Sequence, residues 1–377
     1  MNDNALNFRP DGTFHILQVS DPQDLVYTRQ AMVRMLDAAY DAIRPDLVLF
    51  TGDNTLANHL HDILFVRIRT VHSPAVTRWR MRRALRGILQ PLETRGVPFA
   101  MIYGNHDDMI DVSKEEQFPL YRAYTQCLPM NETDGSVDCD TYNIPLRTAD
   151  GRTAWNLYML DSAWNDEAGQ HCRIKPETAA WYANTSDRLR AENGGKAVPS
   201  ILFLHVPLPQ TKGLCRPCGR DDAGAVRDGD GYVCLDASKA QGVMGESISA
   251  CEDDGGLADA MRARSDVRAV VSGHDHLNCF DGVTGGLRFI QSGGASFRCY
   301  GSRIRGVREF VLHADDPDNF ETRYFTYDML CGTGFSAQLR YFLDADEKIA
   351  EKYGILGGAL LTGAGIAAAA RLRKRHK

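Results

Sequence analysis

Five short stretches of the chain carry side chains that bind cations or move protons. Asp21 and Gln23 stand in VSDPQ (19–23), and Asp53 and Asn54 in TGDN (51–54). Asn105, His106 and Asp107 stand in YGNHDD (103–108), His205 in FLHVP (203–207), and His274 and His276 in SGHDH (272–276). Carboxylate, amide and imidazole without thiolate is a ligand set for Mn, Fe or Zn. Two such ions roughly 3.5–4 Å apart hold a bridging hydroxide and clamp the ester oxygens of an in-line displacement. One carboxylate must then join the two ions, and a neutral acid must protonate the departing alkoxide. An unligated histidine beside the ions fits that acid. Singly these residues say little, since a Gly-Asp after a strand is usually a turn and a lone histidine is usually structural. All five in this order, each after an apolar run, read as one constellation.

The elements that must position them follow from periodicity. Strand-like runs fall at 13–20, 46–51, 97–103, 156–160, 200–205, 267–272, 287–291 and 309–313. Helix-period segments fall at 28–43, 77–89, 176–190, 257–264 and 336–353. The first helix should bury Met32, Met35, Leu36, Ala39 and Ile43, and the second Met81, Leu85 and Ile88. Alternating strands and helices predict an α/β fold. Ligands of open α/β sheets sit outside the carboxyl ends of the strands, where all five stretches lie. Glycine before Asp53, Asn105 and His274 should let the backbone turn sharply. Residues 211–254, rich in Gly, Asp and Cys, read as a long insertion loop overhanging the site.

Composition narrows the rest. A chain of 377 residues, 44% hydrophobic and 24% charged, builds its own core without disulfides. A net charge of −6 argues against non-specific binding of nucleic acid, so no nucleic-acid partner is expected. The opening MNDNALNFRPDGTF lacks a basic stretch followed by an apolar one, so a cytoplasmic protein with reduced cysteines is expected. Buried, reduced thiols are the reading for Cys127, Cys139, Cys172, Cys279, Cys299 and Cys331. Cys215 and Cys218, with Cys234 and Cys251, offer a zinc knuckle as the lesser reading and plain thiols as the leading one. Arg78, Arg80, Arg82, Arg83 and Arg86 around Trp79 read first as a solvated helix face and second as a docking patch. Residues 354–370 are uncharged and precede a basic end. A flexible or packed tail leads there, ahead of membrane association as a surface helix or a spanning one.

Together the five stretches resemble the signature motifs of the calcineurin-like metallophosphoesterase superfamily: Asp-x-His, Gly-Asp, Gly-Asn-His-Asp/Glu, a lone His, and Gly-His-x-His. Residues 96–100, 160–162, 181–182, 205–209 and 245–246 resemble its purple-acid-phosphatase-like branch. The resemblance, running from about Asp21 to His276, implies a four-layer α-β-β-α sandwich. The catalytic domain is expected over residues 1–330, and residues 331–377 read as a helical tail. It implies a first metal on Asp21, Asp53 and His276, and a second on Asp53, Asn105, His205 and His274. It makes His106 the acid that protonates the leaving group or stabilises the phosphoryl charge, and Asp107 the residue that orients it. Asn54, Asn105, His106 and Glu246 are the expected substrate contacts, with Glu246 equally read as a support behind them or an exposed loop acid. Gln23 replaces the usual histidine, and its amide oxygen or a water would serve there. Leu56 stands where purple acid phosphatases place an iron-binding tyrosine, which points to two divalent ions instead. The expected activity is hydrolysis of a phosphomonoester on a small molecule or phosphoprotein. A phosphodiesterase or nucleotide hydrolase, and a catalytically weak scaffold for a protein partner, are the alternatives.

Overall fold

The computed structural model describes residues 6–57, 59–61, 68–70, 72–130, 136–162, 173–352 and 354. Strand alternation creates its layers, because successive side chains leave opposite faces of a sheet. In β1 (Thr13–Val19), Ile16 enters one core while Leu17 and Val19 enter another. In β2 (Leu47–Thr51), Leu47 and Leu49 take the first direction, Val48 and Phe50 the second.

The first sheet has five strands, ordered β17 (Glu321–Thr326), β16 (Gly306–His313), β1, β2 and β5 (Phe99–Ile102). Its β1, β2 and β5 are parallel. The second has seven, ordered β12 (Ala240–Met244), β14 (Asn278–Thr284), β15 (Leu287–Gln291), β13 (Val267–Ser272), β8 (Ser200–Phe203), β7 (Thr153–Met159) and β6 (Tyr142–Arg147). Here β7, β8, β13 and β15 run parallel. A short hairpin, β3 (His59–His61) with β4 (Ile68–Thr70), stands apart.

Three apolar cores separate four layers. The helices α1 (Gln30–Ile43) and α2 (Pro74–Arg95) cover the outer face of the first sheet through Met32, Met35, Leu36, Met81, Leu85 and Ile88. Between the sheets, Ile16, Leu49 and Ile102 meet Leu157, Ile201, Phe203 and Val271. Helices α5 (Pro176–Glu192) and α6 (Leu257–Arg264) cover the second sheet through Tyr182, Leu189, Leu257 and Met261. At about 1.5–3 kcal/mol per fully buried aliphatic side chain, these cores hold the strand ends in register. This is the expected α-β-β-α sandwich, and the helical faces are those the periodicity predicts. Helix α2 is longer than expected, starting on Pro74 and ending where Gly96 takes a left-handed φ of 66°.

Two expectations need correction. The insertion is not an unstructured loop. It folds as a small sheet of β9 (Cys215–Pro217), β10 (Val226–Asp228) and β11 (Gly231–Leu235), then supplies β12 as an edge strand of the large sheet. Nor does one helix run over 336–353. After α7 (Tyr327–Cys331), α8 (Phe335–Asp344) stops at Ala345, and a 3-10 turn follows at Asp346–Lys348. The break lets three acids reach inward: Asp344 to the Ala31 amide, Asp346 to Arg29 and Glu347 to Arg305. Among the described residues no helix is long and apolar enough to cross a membrane. Cys172 and positions 355–370 of the apolar segment lie outside the described residues.

The arginine cluster on α2 is divided. Arg80 is buried and donates to the Ala57 carbonyl, and Arg78 pairs with Glu116. Arg83 lies over the rings of Tyr27 and Trp79. Cys215 Sγ lies 3.5 Å from the Met244 sulfur, and among the described residues Cys215, Cys218, Cys234 and Cys251 do not bring three ligand atoms within 4.8 Å of one another. The only compact group of three or more potential metal ligands among the described residues lies elsewhere.

Candidate metal centre

The five stretches meet at the carboxyl edge shared by the two sheets. Asp21 follows β1, Asp53 follows β2, and Asn105 opens the short helix α3 (Asn105–Asp108) after β5. From the second sheet, His205 follows β8, and His274 and His276 follow β13. Asp21, Asp53 and His274 take left-handed φ values of 50°, 50° and 74°. Such backbone is costly for a residue bearing a Cβ, and it swings these side chains back toward the gap between the sheets.

The glycines before the ligands serve partly as expected. Only Gly52 has a positive φ, 91°. The others give clearance. A Cβ on Gly104 would strike the Asp53 carboxylate, and one on Gly273 would strike the Ser20 hydroxyl. A Cβ on Gly52 would also stand 2.5 Å from His205 Nδ1.

Two imidazoles are fixed by backbone carbonyls. His205 Nδ1 lies 2.9 Å from the Thr51 oxygen, and His276 Nδ1 lies 3.0 Å from the Tyr300 oxygen. A carbonyl only accepts, so each Nδ1 carries a proton, and a lone pair at Nε2 belongs to the neutral ring, the form a cation would select. His205 Nε2 is 3.4 Å from Asp53, 3.9 Å from Asp21 and 3.1 Å from Asn105 Oδ1. His276 Nε2 is 3.6 Å from Asp21. His274 completes the set, its Nδ1 3.3 Å from His205 Nε2 and its amide donating to Asp21.

Charge in the cluster follows from burial and proximity. Burial opposes ionisation of His276, but the Asp21 carboxylate outweighs it and holds the imidazole up to about 9. Burial, then the neighbouring His205, push His274 down to about 3.

Does this cluster suit divalent ions? Asp21 Oδ1 is buried and accepts no hydrogen bond, although two Nε2 atoms lie within 4 Å of it. Asp21, Asp53 and His205 offer ligand atoms all within 4.8 Å of one another. An acceptor without a donor, among lone pairs and carboxylates, is what a cation satisfies. The residues fit the two-ion set. Gln23 belongs to it by position: its Nε2 lies 3.0 Å from His276 Nε2, and its Oε1 is buried without a donor. Turning the amide over would set that oxygen beside the His276 lone pair, as two ligands of one ion stand.

The remaining site residues divide. His106 stands at the mouth, its side chain 36% exposed, with Nε2 3.9 Å from Asp53 and its amide bonded to the same carboxylate. Asp107 does not orient that imidazole. It is wholly buried, and it accepts from the amides of Asn54, Thr55 and Gly104, tying the second motif to the third. Asn54 likewise faces inward, its amide on the Ile102 carbonyl and Asp107, so it is no substrate contact. Glu246 receives the Leu277 amide and the Tyr300 hydroxyl, at the edge of the cluster.

Sequence reasoning missed two supports. Ser162 Oγ accepts from the amides of His205 and Val206, and Asp161 beside it binds Lys114 at 2.8 Å. Tyr300 stacks on His276, ring centroids 4.4 Å apart and planes within 5°. The Leu-Asp-Ser string signalled the first, but nothing local marks Tyr300.

A two-sheet sandwich with carboxylates and imidazoles between the carboxyl ends of its strands defines a class. Residues 14–278 match the calcineurin-like phosphoesterase family, and the chain belongs to it. Among its relatives is the Arabidopsis thaliana protein named "Probable inactive purple acid phosphatase 29", 25% identical and aligned over 78% of this chain and 75% of its own. Another is "Probable inactive purple acid phosphatase 14" of the same plant, 23% identical over 86% and 81%. A solved dimetal phosphatase from Danio rerio is also similar, at 12% identity and a TM-score of 0.44 over 83% of this chain and 99% of that one.

Proposed function

We propose that the chain is a metal-dependent phosphatase acting on phosphomonoesters. The observation that carries this reading is the pair of imidazoles, His205 and His276, whose Nδ1 atoms are occupied by carbonyls while their Nε2 atoms converge on Asp21 and Asp53. Asp21, Gln23, Asp53 and His276 would hold one divalent ion, and Asp53, Asn105, His205 and His274 the other. Such ions supply Lewis acidity and an activated water. The chain supplies the rest. Asp53, 3.4 Å from His205 and grouped with Asp21, would lend its carboxylate to both ions. His106, half in solvent, donates a proton to the leaving oxygen. Asp107 and Ser162 hold the loops that aim these groups.

Protein reconstituted with Mn²⁺ should cleave an aryl phosphate monoester faster than the matching diester. His106→Ala should lose on the order of 10²–10⁴-fold in rate, as removal of a general acid does, while calorimetry shows Mn²⁺ still bound. Faster diester cleavage would move the assignment to a phosphodiesterase. Gln23 and the names of the Arabidopsis relatives favour a second reading, a weak or inactive scaffold. Metal-loaded protein without turnover on either ester would establish that reading instead.

A further inference from the structure

Tyr300 is built into the cluster more firmly than shielding one histidine requires. Its ring lies flat on His276, its hydroxyl donates to Glu246 at 3.0 Å, and its carbonyl accepts a hydrogen bond from His276 Nδ1. Glu246 is anchored in turn by the Leu277 amide. A ring with one face covered and its hydroxyl tied should be largely sheltered, yet Tyr300 is 52% exposed. A flat aromatic surface, held at its inner face by His276 and at its tip by Glu246, therefore leaves its other face and edge open beside the histidine that would hold the first ion. A planar group that stacks on such a ring loses little entropy in the protein, because the ring is already fixed.

We infer that Tyr300 is a stacking platform for the leaving group, and that this site takes phosphate esters whose alcohol carries an aromatic ring. The inference rests on the phosphatase reading for the position of the phosphate. Two sources share that chemistry, nucleotides and aryl phosphates such as phosphotyrosine. The Tyr300–Glu246 bond sets the ring's angle, and the ring supplies the contact. Stacking of a base on an aromatic side chain changes affinity about 5- to 150-fold.

Equilibrium binding tests this apart from catalysis. Mn²⁺-loaded protein is titrated calorimetrically with AMP against ribose 5-phosphate, and with phosphotyrosine against phosphoserine. The expected result is roughly tenfold tighter binding of the ringed member in at least one pair, and that pair identifies the source. Tyr300→Phe should keep the preference and Tyr300→Leu should abolish it. Equal binding within both pairs, or a preference that survives Tyr300→Leu, would overturn the platform. If Tyr300→Leu weakens both members of each pair equally, Tyr300 merely supports His276, and the inference also fails. Turnover of the same four compounds is read separately. A ring preference without turnover would defeat the phosphatase reading and leave the platform standing.

Discussion

At the scale of single residues, the centre works by clearance and by tautomer. Gly104 lacks a side chain because the Asp53 carboxylate occupies that space. Gly104→Ala should therefore displace Asp53, lower the rate at least tenfold and cost about 1–3 kcal/mol of stability, as overpacking does. Steady-state rates and urea unfolding on one preparation would check it. An unchanged rate would show that Asp53 tolerates movement. Gln23 gives a second prediction. Its buried amide stands against His276 Nε2, so Gln23→His would put an imidazole where the proposed first ion has only an amide. Metal retained after dialysis against a chelator should rise, and elemental analysis measures it. Unchanged retention would mean that position 23 does not bear on the ion. The ligand types were legible from sequence because each stands just past a strand. Their partners were not, because Asp107 meets Asn54 and Thr55 only after β2 and β5 align. Tyr300 was invisible for the same reason: its place on His276 is made by a loop, not by a motif.

Among elements, support comes from the far side of the second sheet. The Ser162 hydroxyl after β7 takes two backbone N–H groups of the turn after β8. Ser162→Ala leaves both buried amides without an acceptor, at about 1–3 kcal/mol each. Denaturant midpoints should fall, and the rate with them, since His205 hangs from that turn. A normal rate in a destabilised protein would show that the turn holds its shape alone. Lys114 is the other strut, paired with Asp161 and 4.0 Å from Asp140, both buried. Lys114→Met strands those carboxylates, and a loss of roughly 3–5 kcal/mol is expected by chemical unfolding. The parallel strands of this architecture were readable as apolar runs. Strand β6 was not, since Pro145 and polar neighbours interrupt it, and neither were the short strands β9 to β12, three to five residues each. Pairing with neighbours, rather than local propensity, decides such segments.

For the whole molecule, metal and fold are linked. Ions held by the native centre alone raise the melting temperature by mass action. Adding Mn²⁺ to chelator-treated protein should raise it by several degrees, and Asp53→Asn should remove most of that gain. A melting curve indifferent to Mn²⁺ would argue that the cluster binds no ion.

The chain's last described stretch has its own bearing on this centre. Arg305, fully buried, grips the carbonyls of Ser296, Cys299 and Ser302 and reaches the carboxylate of Glu347 and the hydroxyl of Tyr341. The segment it holds from inside is the one that carries Tyr300 and touches Gln23 through Ser296. The candidate metal centre is thus latched by residues some seventy positions beyond His276. Tension, cleavage or a bulky fusion at that end would be felt first as slackness in the Tyr300 ring against His276.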